Sequence, residues 1–477
     1  MAGRRGVAHD FASVSTAGSD PARSRARVRH PGSETFDGLR AKGDGRGRGG
    51  LFAGQVDKTR PLEVEFRTMR PLAPLFLAVG AALPWLSLRL SGFHGTPMAE
   101  AALAGMAILG AAFILSWAAE LARLEISAHL AVAVLAFIAV LPEYAVDIYF
   151  AWQAGQDPAY AHYAVANMTG ANRLLIGLGW SAVVLTFWWR SRRRVLTLGK
   201  HDRLELGALA LATVYAIVIP CKANLSLLDT VVLIAVFLIY IRAAAAQAVE
   251  EPELLGPAAA LSELPVSWRR LTTVGMFVFA AVAILLSAEP FAEGLVGTGK
   301  LLGIDEFFLV QWLAPLASEA PEFIVAILFA LQGRANLGIR TMISSKVNQW
   351  TLLIGMLPLA YAISSGGLQP LPMDARQVGE VALTVAQSAF AIVVLAKFTF
   401  SVWSAAALAV LFISQLFLPS LHGLFTGIYA ALSLGIILAD PRRLLTLGPS
   451  MAALFSGKEP GGAPRDEGRG GREDGTA

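Results

Sequence analysis

Two stretches decide how this chain folds: "LPEYAVDIYFAWQAG" (141–155) and "APEFIVAILFALQGR" (320–334). When Pro142-Glu143 is set over Pro321-Glu322, Phe150-Ala151 falls on Phe329-Ala330 and Gln153 on Gln332. Downstream, Leu-Leu-Ile-Gly recurs at 174–177 and 352–355, with one residue of slippage. The repeat covers about 35 residues, and such self-similarity marks a duplicated structural unit. Each copy is an apolar run interrupted by a proline and a carboxylate. In lipid a carboxylate costs at least about 3 kcal/mol on insertion scales, so intramembrane acids are usually functional.

The setting of the repeat is a membrane. The chain has 477 residues, 55% hydrophobic and only 16% charged, with mean hydropathy +0.57. Soluble domains carry about a quarter charged residues. Apolar runs long enough to cross a bilayer as helices recur from residue 72 to residue 439. Twelve spans are expected, near 72–90, 101–120, 128–152, 161–189, 204–222, 225–243, 270–296, 306–332, 336–363, 377–397, 400–418 and 422–439. The single cysteine, Cys221, excludes an intramolecular disulfide and a cysteine metal cluster. The net charge of +4 is no nucleic-acid signal, because the basic residues sit in tails and short loops. No signal peptide is expected, since the first apolar run starts near residue 72.

Loop charge sets the orientation. The N-terminal tail, "RSRRRVLTLGKHDR" (190–203), Arg242, Arg269, Arg270, Arg334, Arg340 and "DPRR" (440–443) all fall on one side if the N-terminus is cytoplasmic. The expectation is an integral protein of a bacterial inner membrane with both termini in the cytoplasm. The third span then runs outward and the eighth inward, so the repeats are inverted. That is the architecture of secondary transporters, whose ion site lies at the repeat interface. The fold class expected is an all-α polytopic membrane protein: two inverted five-helix repeats with one extra helix at each end. Residues 1–68 read as a disordered basic tail, 69–100 as an extra helix and 101–245 as the first repeat. Residues 246–269 read as a cytoplasmic linker, 270–418 as the second repeat, 419–443 as a further helix and 444–477 as a second disordered tail.

Proline inside a helix removes a backbone hydrogen bond. In lipid the freed carbonyl is tolerated only where it is buried or lines a cavity. Pro142, Pro315 and Pro321 are therefore expected to free backbone oxygen at mid-membrane. Glu143 and Asp147 lie four apart, and Glu319 and Glu322 three apart, so each pair shares a helix face. The following spans offer Asn167, Thr169 and Asn172, and Ser344, Ser345, Asn348 and Gln349. Each also contains one base, Arg173 or Lys346. Four carboxylates and two bases leave a deficit that a divalent cation would neutralise, and a hard oxygen site is what Ca²⁺ prefers. Two bland pairings compete with this reading: an Asp147–Arg173 salt bridge and a Lys346–Glu319 salt bridge.

The paired Pro-Glu segments, followed by "NMTGANRLLIG" (167–177) and "SSKVNQWTLLIG" (344–355), resemble the cation/Ca²⁺ antiporter superfamily of Na⁺/Ca²⁺ and H⁺/Ca²⁺ exchangers. The resemblance implies that Glu143 and Glu322 ligate Ca²⁺, with Asn172, Ser345 and Asn348 as accessory ligands. It implies exchange of Ca²⁺ or a similar cation for Na⁺ or H⁺ by alternating access, with no cofactor, and with inorganic cations and the lipid bilayer as partners and no nucleic acid. This chain departs from the family pattern at Leu141 and Ala320, where Ser or Thr is usual, at Ala171, where Ser is common, and at the bases Arg173 and Lys346. An ammonium fixed near the site would occupy a Na⁺ position and favour proton coupling. Another cation antiporter, for Na⁺/H⁺, Mg²⁺ or Mn²⁺, is the alternative. A membrane enzyme is not expected: a His-Glu-x-x-His helix, a Gly-x-Ser-x-Gly elbow and an Asp-rich metal–phosphate motif are all missing.

Overall fold

Helices carry almost all of the described chain, as a bilayer requires of segments that cannot hydrogen-bond to lipid. The computed structural model describes residues 70–126, 140–199, 202–246 and 254–456, all within the compact unit Thr59–Ala477. Among these residues, nine helices are long and apolar enough to span a membrane. The twelve-span expectation differs in three places. Most of the first half of the expected span 128–152 lies outside the described residues. The span 336–363 is helical over Ala335–Asn348, Gln349–Leu353 and Ile354–Ser365 but is not among the nine apolar enough to span. The span 400–418 is a helix of 16 residues.

The first half begins with α1 (Ala73–Leu90), which buries only Ala78, Ala82, Trp85 and Leu86 and turns the rest of its apolar surface outward. α2 (Pro97–Ala122) starts on a Thr96 cap with Pro97 behind it, the arrangement that satisfies a first-turn amide without needing the missing N–H. α3 (Leu141–Gln156), α4 (Ala161–Leu174), a π-helical turn (Leu175–Trp180) and α5 (Ser181–Ser191) follow. Then come β1 (Val195–Thr197), α6 (Arg203–Ala216), α7 (Val218–Lys222), β2 (Asn224–Leu225) and α8 (Leu227–Ala245).

The second half repeats that order. After the short α9 (Pro257–Ser262), α10 (Val266–Leu302) runs for 37 residues and ends at Gly303, whose positive φ closes it. At about 1.5 Å per residue it is roughly 55 Å long, more than a hydrocarbon core of about 30 Å. α11 (Glu306–Leu331), α12 (Ala335–Asn348), a π-helical turn (Gln349–Leu353) and α13 (Ile354–Ser365) mirror α3 to α5. β3 (Leu371–Pro372), α14 (Ala375–Leu395), β4 (Thr399–Ser401), α15 (Val402–Phe417), α16 (His422–Ala439) and α17 (Arg442–Ser456) complete the chain.

The halves interlock. α2 packs along α10, α3 against α13, and α11 against α4, α5 and α12. Two antiparallel strand pairs, β1–β4 and β2–β3, tie loops of one half to loops of the other. Charged pairs gather at helix ends: Arg269 and Arg270 on Glu125, Arg340 on Asp202, Arg376 on Asp305, and Lys397 on Asp440.

Two of the expected boundaries change. Residues 444–456 are helical, not disordered: α17 lies against α6 and buries Ala453 and Leu454. Arg443 and Thr446 anchor its start by donating to carbonyls at the end of α14. Within 246–269, Pro257–Ser262 is helical and α10 has already begun at Val266. Residues 1–68 and 457–477 lie outside the described residues.

Candidate functional site

The site is assembled where α3 and α4 of the first half meet α11 and α12 of the second. Close approach of the backbones makes this possible. Pro315 supplies no N–H, so the carbonyl of Gln311, four residues earlier, is released from the α11 ladder. That oxygen faces Gly170 of α4, and a Cβ built there would stand 1.8 Å from it. Only glycine fits the crossing. Gly338 does the same for α12, where an added Cβ would lie 2.5 Å from the Ala326 oxygen of α11.

α3 presents Glu143 and Asp147 inward, and both are fully enclosed. α11 presents Glu319, also enclosed, and Glu322, which is part-exposed. The carboxyls of Glu143 and Glu319 meet at one amide, that of Gln349, and Glu322 lies three residues from Glu319 on the same face of α11. Gln349 bridges the halves: its Nε2 donates to Glu143 Oε1 at 2.8 Å and also to Glu319 Oε1. Ser345 Oγ donates to Glu322 Oε2 at 2.7 Å, and Tyr144 OH to Asn348 Oδ1 at 2.8 Å. Asp147 Oδ1 accepts from Asn167 Nδ2 at 2.9 Å, leaving Asp147 Oδ2 buried without a partner. Glu319 Oε2 and Gln349 Oε1 are likewise buried and unpartnered.

Neither expected salt bridge forms. Lys346, fully buried, donates to Asn172 Oδ1 at 2.5 Å and to the Asn172 backbone oxygen at 3.3 Å, and lies 4.1 Å over the Trp350 ring. Its register on α12 turns it to α4 and not to Glu319. Arg173 points away from Asp147 and donates to Glu380 Oε2 of α14 at 2.6 Å, with its guanidinium 5.0 Å over Trp312. The central deficit is therefore larger than the sequence suggested, since Arg173 is already neutralised elsewhere. Pro142 also behaves differently from expectation. It sits in the first turn of α3, where no intrahelical partner is lost. Pro315 and Pro321 do lie inside α11.

Thus Glu143, Glu319, Glu322, Ser345, Gln349 and Lys346 are brought to one region, with Asp147, Asn172 and Asn348 on its edge. Among the described residues, no three Asp, Glu, His or Cys side chains form a ready-made metal cluster. Side-chain amides and a hydroxyl hold the carboxyls instead. Glu380, Gln311 and His422 were not foreseen. A polar stripe along α14, Glu380, Thr384, Gln387 and Ser388, recurs at helical spacing within an apolar segment and was the available signal.

The family described as Sodium/calcium exchanger protein matches residues 100–245 and 272–421, which covers both halves. The chain belongs to the sodium/calcium exchanger family. The exchanger is accordingly an integral membrane transporter and not an enzyme. It is similar to a solved H⁺/Ca²⁺ exchanger, CAX, at 43% identity over 82% of this chain and 99% of that one, with a TM-score of 0.78. The Ca²⁺/H⁺ antiporter protein YfkE shares the fold at 15% identity and a TM-score of 0.53, over 72% of this chain and 99% of that one. The sodium/calcium exchanger MaX1 of Methanosarcina acetivorans is 28% identical over 87 residues, 18% of this exchanger and 25% of MaX1.

Proposed function

We propose that this exchanger carries Ca²⁺ across the membrane in exchange for protons, by alternating access at the Glu143–Glu319–Glu322 centre with Asp147 at its edge. The observation that carries the reading is the enclosure of Glu143 and Glu319 against one amide, Gln349, while Lys346 is held by Asn172, which leaves negative charge for protons or a cation to neutralise. Ca²⁺ binding replaces those protons with one ion, and protons returning from the other side expel it. Hard carboxylate, amide and hydroxyl oxygens suit Ca²⁺. Ser345, Asn348 and Gln349 supply the neutral oxygens, and Pro321 frees the Ala317 carbonyl one turn away.

Lys346 favours protons over Na⁺ as the coupling ion. Its ammonium already engages both oxygens of Asn172 that a Na⁺ ion would use. The 43% identity to an H⁺/Ca²⁺ exchanger points the same way. In this reading the two halves are inverted in a bacterial inner membrane with both termini in the cytoplasm, supported by the arginines of 190–203 and 440–443.

Calcium uptake into everted vesicles tests the reading. A pH gradient is expected to drive uptake and a Na⁺ gradient at constant pH is not. Uptake driven by Na⁺ alone, or by neither gradient, overturns it.

A further inference from the structure

A second buried polar cluster centres on Glu380 of α14, away from the acids described above. Glu380 Oε2 accepts from Arg173 Nη2 at 2.6 Å and from Gln311 Nε2 at 3.0 Å. Glu380 Oε1 stands 2.7 Å from His422 Nδ1, and His422 Nε2 stands 2.9 Å from the backbone oxygen of Gln415. That oxygen lacks an intrahelical donor because the residue four positions on is Pro419. Both ring nitrogens of His422 therefore face acceptors. A neutral imidazole has a single N–H, and a carboxylate has none. Both bonds are made only when the pair holds one additional proton, as imidazolium facing carboxylate or as imidazole facing carboxylic acid.

We propose that His422 and Glu380 form a second protonatable site, separate from the Ca²⁺ centre, whose loading sets the pH response of exchange by positioning α4 through Arg173. Loading transfers one proton from solvent hydronium, whose O–H bond breaks as the new N–H or O–H bond forms and which leaves as water; unloading is the reverse. The charged and titratable groups facing the pair are Arg173 from α4 and, beside Arg173, Tyr429 from α16. Gln311 of α11 and Gln415 of α15 are neutral. Arg173 Nη1, the Gln415 side-chain amide and Tyr429 OH are buried without partners, a set of donors and acceptors suited to ordered water. The turn at residues 417–421 beside His422 is exposed, which gives the proton a short way out.

The route to the Ca²⁺ centre is one helical turn of α4. Gln311 holds Thr169, Lys346 holds Asn172, and Glu380 holds Arg173. A change in the charge shared between Glu380 and His422 is thus felt at the residue next to Asn172. His422 lies one position beyond the family match, so this site joins α16 to the exchange core.

The inference rests on proton-coupled exchange, and one experiment separates the two. The full chain is reconstituted in proteoliposomes, and Ca²⁺ uptake driven by a pH gradient is measured between about pH 5 and 8, where histidine side chains generally titrate. The variants are His422→Gln and His422→Asn, each checked for folding by its thermal melt. One limb of the wild-type pH profile, about tenfold in size, is expected to be missing from both variants, while the limb due to the carboxylate centre remains. A wild-type profile in a folded variant overturns the inference and leaves proton coupling standing. Absence of pH-driven uptake in the wild type overturns both. If neither variant folds, His422 is structural and the inference fails.

Discussion

The two buried polar clusters solve opposite electrostatic problems. Around Glu380, one carboxylate meets Arg173, Gln311 and His422, so the protein supplies its own neutralisation. Around Glu319, acids from both halves crowd together against one ammonium, Lys346, which bonds to Asn172 and not to them. A carboxylate facing Arg173 and His422 has no need of a cation and ties α4 to α14 and α16. A cluster left acidic must be neutralised by protons or by a cation. In the proposed reading this difference separates the cluster that carries Ca²⁺ from the one that does not.

Breaking the balanced cluster has the largest expected effect on the fold. Glu380→Gln leaves the Arg173 guanidinium buried and uncompensated, at a cost of about 3–5 kcal/mol. A lower melting temperature in detergent reads it. The acidic cluster behaves the other way. Glu143→Gln and Glu322→Gln are each expected to cut Ca²⁺ uptake about 100-fold, equal to about 2.7 kcal/mol, without lowering the melting temperature. If either Gln variant melts well below wild type, that acid is structural and the contrast fails.

Two smaller effects sharpen the comparison. Gly170→Ala forces α4 away from the Gln311 carbonyl, and overpacking of this kind costs about 1–3 kcal/mol. Because Thr169 and Arg173 sit beside that crossing, both melting temperature and uptake are expected to fall. Lys346→Met empties the ammonium position. Uptake driven by a pH gradient is expected to drop roughly tenfold, the size of a typical coupling free energy, and Na⁺ is expected to begin competing with Ca²⁺. Unchanged ion preference would make Lys346 a structural residue.

Much of the acidic cluster was legible because its signal is repeated. A Pro-Glu pair in two copies of one apolar segment needs no knowledge of packing to stand out, and the faces of Glu143/Asp147 and Glu319/Glu322 follow from helical period alone. The partners were not legible. Asp147 and Arg173 looked equally suited to each other, yet a turn of α4 sends Arg173 to α14 and leaves Asp147 with Asn167. Whether Lys346 pairs with Glu319 was likewise open, because which way a base points depends on the crossing of α12 with α4. The helix at 442–456 was missed because its apolar face is short and its neighbour α6 is distant in sequence. Glu380 hid in a single copy, without the duplication that exposed Glu143 and Glu322.

Proton release on Ca²⁺ binding tests the central claim most directly. Purified wild-type exchanger in weakly buffered detergent solution is titrated with Ca²⁺ while a pH indicator is followed. Ca²⁺ is predicted to release about one proton or more per ion bound, since its ligands must be deprotonated, and Glu319→Gln is predicted to release fewer. Saturable Ca²⁺ binding with no proton release would contradict the account.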